Sequence, residues 1–226
     1  MNIEVVYVCP VESGDQFVTY GWRFLQSYLE NKPGMDHGTT IVCNGASPSN
    51  PVYAMFKLMP NCKFFERDNS GYDIGAFQHI AREVPADMMV FFGASSYVRG
   101  AGWLLRMIRA FESNPEFQYG SMGNRGNIPV NVWPHIRTTG FWMNPDLMKA
   151  YPTIVTRPEQ RYEFEHGKNC LTERLKRRGI KSYVVTWHGQ YDWANWDDDP
   201  NGYHRGNQSS LLSGDRNTDP PYHPRQ

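Results

Sequence analysis

The feature that most constrains this chain is an alternation repeated four times: a short apolar run, then a segment of helical periodicity. Ile3–Val8 is rich in β-branched residues and ends at Cys9-Pro10, as a buried strand entering a loop does. Phe17, Tyr20, Phe24, Leu25, Tyr28 and Leu29 then recur at helical spacing, and Pro33-Gly34 stops the helix. A strand at 39–43 leads into a short helix at 51–58. A strand at 63–66 leads into a helix ending near Glu83. The almost wholly apolar strand Met88–Phe92, expected to be central, leads into a helix at 103–111. Such alternation predicts an α/β domain with a mainly parallel central sheet and helices on both faces. The second half has short strands at 119–122, 138–143 and 181–186. Its helices are expected near 145–150 and at 170–178, with Gly179 as the stop, and the chain reads as loop from Trp187 onward. One domain over 1–226 is expected: a ligand-binding half at 1–112, a second wall at 113–190 and an irregular tail at 191–226.

Parallel sheets of this kind bind ligands beyond the carboxyl ends of their strands. The loops after Val8, Cys43, Glu66 and Phe92 are therefore expected to converge on one cleft. Lys+Arg and Asp+Glu number 23 each. That balance argues against a generally basic nucleic-acid-binding protein and makes nucleic acid an unlikely partner. Cys9, Cys43, Cys62 and Cys170 contain no CxxC pair, so a zinc knuckle is not expected and reduced thiols are the default. The first residues have no basic start and carry Glu4 within their apolar stretch, unlike a signal peptide. No apolar run reaches the roughly 18 residues of a membrane span. A soluble, cytoplasmic protein is expected, with peripheral membrane association left open.

Three polar segments stand out. In Asn69-Ser70-Gly71-Tyr72-Asp73-Ile74-Gly75, two glycines flank Asp73 where a loop enters a helix. Glycine allows close backbone approach to a ligand, a helix N-terminus favours anions, and a carboxylate there can accept hydrogen bonds from ribose or sugar hydroxyls. The plain alternative is a helix cap with two turn glycines. The spacing is not GxGxxG, so no dinucleotide fingerprint is present. Glu163, Glu165 and His166 are read as lying just before the helix at 170–178. A carboxylate there suits proton abstraction, although acidic residues also favour helix N-termini for purely electrostatic reasons. Asp197-Asp198-Asp199, followed by Pro-Asn-Gly, is read as a solvated turn rather than a metal site.

The order of these features resembles GT-A-fold glycosyltransferases, most nearly the rhamnan-synthesis-type group with its Asn-x-Gly-x-Asp-x-Gly turn. The segment 67–77 followed by an apolar strand and Gly102-Trp103-Leu104 carries the resemblance. So do 137–143, which resembles the acceptor-side strand, and 162–167 with Leu171, Thr172 and Gly179, which resembles the helix bearing the base. The resemblance implies transfer of a hexosyl or deoxyhexosyl group from a nucleoside-diphosphate sugar to a glycan or other hydroxyl acceptor, with inversion. It implies Pro10, Val11 and Asn44 around the base and ribose, Asp73 at ribose or sugar hydroxyls, and Gly93, Ala94 and Ser95 near the diphosphate. Trp133, Arg137 and Thr138 would line the acceptor side. Glu165 would be the base, with Glu163 as the alternative.

The family usually ends its fourth strand in Asp-x-Asp, which holds a divalent metal; here the stretch is Phe91-Phe92-Gly93-Ala94-Ser95-Ser96-Tyr97. Hydroxyls and backbone N–H groups are poor substitutes for carboxylates around Mg or Mn, so no tightly bound cofactor is expected, with a divalent Mn or Mg kept as the alternative. The leaving diphosphate then needs cations, for which the sequence offers Arg67, Arg99, Arg137, His188, His204 and Arg205. His188, directly after the last strand, has the best position. Two rival readings stand beside this one. The first is a non-catalytic GT-A-like module that binds a glycan or nucleotide. The second is a nucleotidyltransferase, which Cys9–Gly14 disfavours because it lacks the Lys or Arg of a phosphate-gripping loop.

Overall fold

The computed structural model of the protein describes residues 1–124, 133–196 and 208–218. In chain order its elements begin with β1 (Ile3–Val8), α1 (Asp15–Glu30), β2 (Gly38–Asn44), a 3-10 helix at Pro51–Leu58, β3 (Cys62–Arg67), α2 (Tyr72–Glu83) and β4 (Met88–Phe92). Then come β5 (Tyr97–Val98), α3 (Trp103–Ser113), β6 (Gln118–Gly120), β7 (Gly123–Asn124), β8 (His135–Ile136), β9 (Phe141–Met143) and α4 (Pro145–Lys149). Last are α5 (Pro158–His166), α6 (Leu171–Arg177), β10 (Ser182–Val185), β11 (Gln190–Tyr191) and β12 (Ser213–Gly214).

Eight strands form one sheet in the order β11-β10-β6-β9-β4-β1-β2-β3. β1 pairs in parallel with both β2 and β4, and β2 with β3, so the four strands expected from sequence point the same way. β9 runs antiparallel between β4 and β6, which restores the parallel direction for β6 and β10. The sheet is buried on both faces: β4 is apolar at every position, and in β1 the one charged residue, Glu4, is buried and accepts from the Thr40 hydroxyl at 2.6 Å. Along β1, Ile3, Val5 and Tyr7 face one layer while Val6 and Val8 face the other; along β4, Met88, Val90 and Phe92 alternate in the same way with Met89 and Phe91. The first layer is closed by Phe24 and Leu25 of α1 and by Trp103, Leu104 and Met107 of α3. The second is closed by α2, α4, α5 and α6 through Ile74, Phe77, Ile80, Met148, Phe164, Leu171 and Leu175. Each fully buried side chain of this size contributes roughly 1.5–3 kcal/mol as an upper estimate. The rings of Phe77, Phe91 and Phe141 meet at 4.9–5.6 Å and clamp the start of α2 onto β4 and β9.

The short helix expected at 51–58 is present with those bounds, as a 3-10 helix started by Pro51 and by Asn50, whose side chain accepts from Val52 N–H at 3.1 Å. The structure corrects the sequence reading in several places. The strand expected over 138–143 begins only at Phe141, leaving Arg137, Thr138 and Thr139 in a loop. Residues 158–166 form a helix of their own, so Glu163 and Glu165 lie within α5 rather than ahead of α6. The chain after Trp187 is not all loop. β11 extends the sheet, β12 pairs with β5, and Leu211 and Leu212 are fully buried.

Candidate functional site

A cleft of about 620 Å³ opens at the carboxyl ends of β1, β2 and β4. The loop after β1 supplies Pro10 and Ser13, the end of β2 supplies Asn44, and the loop after β4 supplies Gly93, Ala94 and Ser95. The start of α2 supplies Tyr72 and Asp73, and α5 supplies Arg161, Tyr162, Glu165 and His166. Arg137, Thr138 and Thr139 close it from the loop before β9, and Arg216 and Asn217 reach it from the C-terminal segment.

Asp73 is not the cap of α2. Gly71 is, with φ +71, and Asp73 sits in the first turn, where its Oδ1 accepts from Ile74 N–H at 3.1 Å. The flanking glycines do not make room for a ligand. A Cβ at Gly71 would lie 1.9 Å from the Val155 carbonyl oxygen, and one at Gly75 would lie 2.4 Å from the Ser70 carbonyl oxygen. They let the loop at 152–156 press onto α2. Buried Gln78 completes that joint, donating to Thr153 O at 2.9 Å and accepting from Val155 N–H at 2.8 Å. Pro158 then begins α5, and Gln160 Oε1 accepts from Thr156 and Arg157 N–H at 2.9 and 3.1 Å. The result is that α5 crosses the start of α2 in a fixed position. Tyr72, between the two, has φ +56, a left-handed conformation that costs a non-glycine residue on the order of 1–3 kcal/mol.

Three charged groups meet across this joint. Arg161 Nε lies 3.4 Å from Asp73 Oδ1 and 3.1 Å from Glu165 Oε2. The Thr138 hydroxyl donates to Glu165 Oε1. Burial pushes the Asp73 carboxyl up to about 6, with nearby Glu165 acting in the same direction and Arg161 opposing. Beyond Glu165 lie two imidazoles: His166 Nδ1 is 3.2 Å from His135 Nε2. Burial holds both rings neutral, pushing His135 down to about 3 and His166 to about 4, helped at His166 by Arg137 and Arg161. Arg137 itself is paired with fully buried Asp215 at 2.8 Å, which fastens the C-terminal segment to the cleft wall.

No family model matches this chain, and no curated protein matches it. Solved structures do. Mouse xyloside xylosyltransferase 1, in its apo form, aligns over 97% of this chain and 99% of that one, at 11% identity with a TM-score of 0.58. S. aureus TarS 1–349 in complex with UDP-GlcNAc aligns over 66% of this chain at 13% identity with a TM-score of 0.45; this chain spans 47% of it, under half its length. Mannosyltransferase PcManGT from Pyrobaculum calidifontis, in complex with GDP-Man and Mn2+, aligns over 67% of this chain and 46% of that one, at 9% identity with a TM-score of 0.49. The xylosyltransferase alignment runs end to end and carries the fold. The fold is GT-A.

Within this GT-A fold, nine of the residues expected from sequence line one cleft: Pro10, Asn44, Asp73, Gly93, Ala94, Ser95, Arg137, Thr138 and Glu165. Six do not line it. Arg99 lies outside the cleft just after β5, its backbone N–H donating to Leu212 O at 3.0 Å. Val11 is buried in the core layer of α1. Arg67 is spent inside the fold, donating to Asn44 Oδ1 and, at 2.7 Å, to Ser70 O, so it shapes the 68–72 turn instead of facing the cleft. His188 is exposed in the turn between β10 and β11. Trp133 contributes its backbone, with N–H donating to His166 O at 2.8 Å. Glu163, two residues from Glu165 on the helix, turns away and accepts from Asn169 N–H at 2.8 Å. His204, Arg205 and Asp197 to Asp199 lie outside the described residues.

Arg161 and His135 were invisible to the sequence reading. α5 has only Tyr162 and Phe164 as large apolar residues, so no periodicity marked it; Pro158 with Gln160 two residues on was the available signal. Among the described residues no three His, Cys, Asp or Glu side chains gather to hold a metal. The carboxylates of Asp73 and Glu165 have a guanidinium between them, a poor ligand set for an oxygen-seeking cation.

Proposed function

We propose that this protein is a glycosyltransferase that moves a sugar from a nucleoside-diphosphate donor to a hydroxyl acceptor, with inversion. The observation that carries the reading is the convergence of Asp73, Arg161 and Glu165 at the strand ends of a GT-A fold. The donor's base and ribose lie along Pro10 and Asn44, with Asp73 accepting from ribose or sugar hydroxyls. The diphosphate lies over Gly93, Ala94 and Ser95, where backbone N–H groups and the serine hydroxyl can donate to it. Arg161 and Arg216, both on the cleft, replace the cations expected at Arg67 and His188. They neutralise the charge that grows on the leaving group, so that no tightly bound metal is required. The acceptor enters beside Arg137 and Thr138. Its hydroxyl proton passes to Glu165 as its oxygen bonds to the anomeric carbon, and the bond from that carbon to the diphosphate oxygen breaks.

The chain operates as one domain. It belongs with the rhamnan-synthesis-type group, on the strength of the 69–75 turn. All four cysteines are free, and no described helix is long and apolar enough to cross a membrane. Both facts suit work in the cytoplasm. The lack of a carboxylate at Gly93-Ala94-Ser95 favours one second reading, a non-catalytic module that binds nucleotide or glycan. A thermal-shift screen against UDP-, GDP-, TDP- and CMP-sugars with and without EDTA, followed by a donor-hydrolysis assay, separates them. The transferase binds one donor class in EDTA and turns it over. The binding module binds without turnover. A protein stabilised by none of these donors is not the transferase.

A further inference from the structure

The two imidazoles beside Glu165 have tautomers that the backbone dictates. His135 Nδ1 lies 2.6 Å from the Trp133 carbonyl oxygen, which can only accept, so this nitrogen carries the proton. His135 is buried and neutral, so its Nε2 is bare. His166 Nδ1, 3.2 Å from that bare nitrogen, must then be the donor. The neutral His166 ring is left with an unprotonated Nε2, and this atom lies 3.8 Å from Glu165 Oε2 at the wall of the cleft. The backbone bond from Trp133 N–H to His166 O closes the arrangement and keeps the rings in register. His166 Nε2 and Glu165 Oε2, the latter also accepting from Arg161 Nε at 3.1 Å, therefore stand side by side as acceptors with no hydrogen between them. One hydroxyl has one hydrogen and satisfies one of them. Two adjacent hydroxyls satisfy both.

We propose that His166 Nε2 is an acceptor-binding atom that takes a hydrogen bond from the hydroxyl next to the one Glu165 deprotonates, so that the acceptor presents a vicinal diol. This deepens the glycosyltransferase reading and rests on it for the identity of the ligand as an acceptor. His135 does not touch the ligand; it is a positioning residue that sets the tautomer of His166.

The test is a long-range 1H–15N correlation spectrum of the uniformly 15N-labelled protein at neutral pH, which reports each ring's tautomer without donor or turnover. Both rings are expected as the Nδ1–H form. Adding ethane-1,2-diol is expected to shift the His166 Nε2 resonance more than ethanol does at the same concentration. His135→Phe, which removes the partner that fixes the tautomer, is expected to give His166 as a tautomer mixture and to lose the preference for the diol; His135→Gln, which keeps a side-chain amide there, guards against a folding defect. An Nε2–H form of His166 in the wild-type protein, or equal responses to diol and alcohol, overturns the proposal. Failure of the transferase reading would appear separately, as absence of donor turnover with these spectra unchanged.

Discussion

The Asp73 carboxylate rests against Gly93: Oδ2 lies 3.2 Å from where a Cβ at position 93 would stand. A residue of α2 thus brings a negative charge to the end of β4, where the strand itself has none. Asp73→Asn keeps the shape and removes the charge. Losing charge-assisted hydrogen bonds worth about 1.5–3 kcal/mol weakens donor binding roughly 10- to 100-fold, as read by calorimetry. Because the carboxyl is raised to about 6, wild-type affinity is expected to rise as pH increases through 6, while the Asn variant stays flat. The stability effect has the opposite sense. A raised folded-state value means that Asp73 supports the fold below the ordinary carboxylate range, near 4, and that this support is lost as pH rises through 6. Melting of Asp73→Asn is therefore expected to compare best with wild type above pH 6.

The histidine pair has the reverse sign. His135 and His166 are depressed to about 3 and about 4, so their contribution is complete above the ordinary histidine value, near 6.5, and is lost as pH falls toward those folded values. His166→Asn removes one titrating ring while keeping a donor near His135 Nε2. The fall in melting temperature between pH 6.5 and pH 4 is expected to be shallower in this variant than in wild type. An unchanged slope would show that these rings do not drive the acid loss.

Much of this architecture is written in the sequence, for a physical reason. Strands buried on both faces are apolar at every position, as in Met88–Phe92, and amphipathic helices such as Trp103–Ser113 show their stripe. Five cleft residues at strand ends, Pro10, Asn44, Gly93, Ala94 and Ser95, lie where the loops of a parallel sheet converge. What stayed hidden depends on tertiary contacts. α5 is polar and is held by Gln160, Gln78 and the close approach at Gly71, none of which has a periodic signature. With α5 unread, Arg161 could not be placed, and Arg67 was given a phosphate role when its partners are Asn44 and Ser70. The ion pair of Arg137 with Asp215, 78 residues on, has no local trace either.

Gly71 tests the joint that positions α5. Alanine there meets both a positive φ and the Val155 carbonyl, and a cost of about 3 kcal/mol is expected in denaturant unfolding. At temperatures where the variant remains folded, its donor turnover is expected to fall as well, since displacing the 152–156 loop moves Arg161 and Glu165. Gly179→Ala makes a useful control: it shares the positive φ but has nothing within 4 Å of the new methyl, so only the smaller backbone cost applies and turnover is kept.

The most direct test of the central claim is turnover by Glu165→Gln beside wild type, with donor binding measured in the same preparations. A positioned carboxylate base contributes roughly 10²–10⁴-fold, so turnover is expected to fall by that factor. Donor affinity is expected to stay within about threefold of wild type, because the base acts on the acceptor. Glu163→Gln, whose side chain only closes the turn at Asn169, is expected to retain most activity. Full activity in Glu165→Gln, in an assay where wild type transfers sugar, would contradict the account.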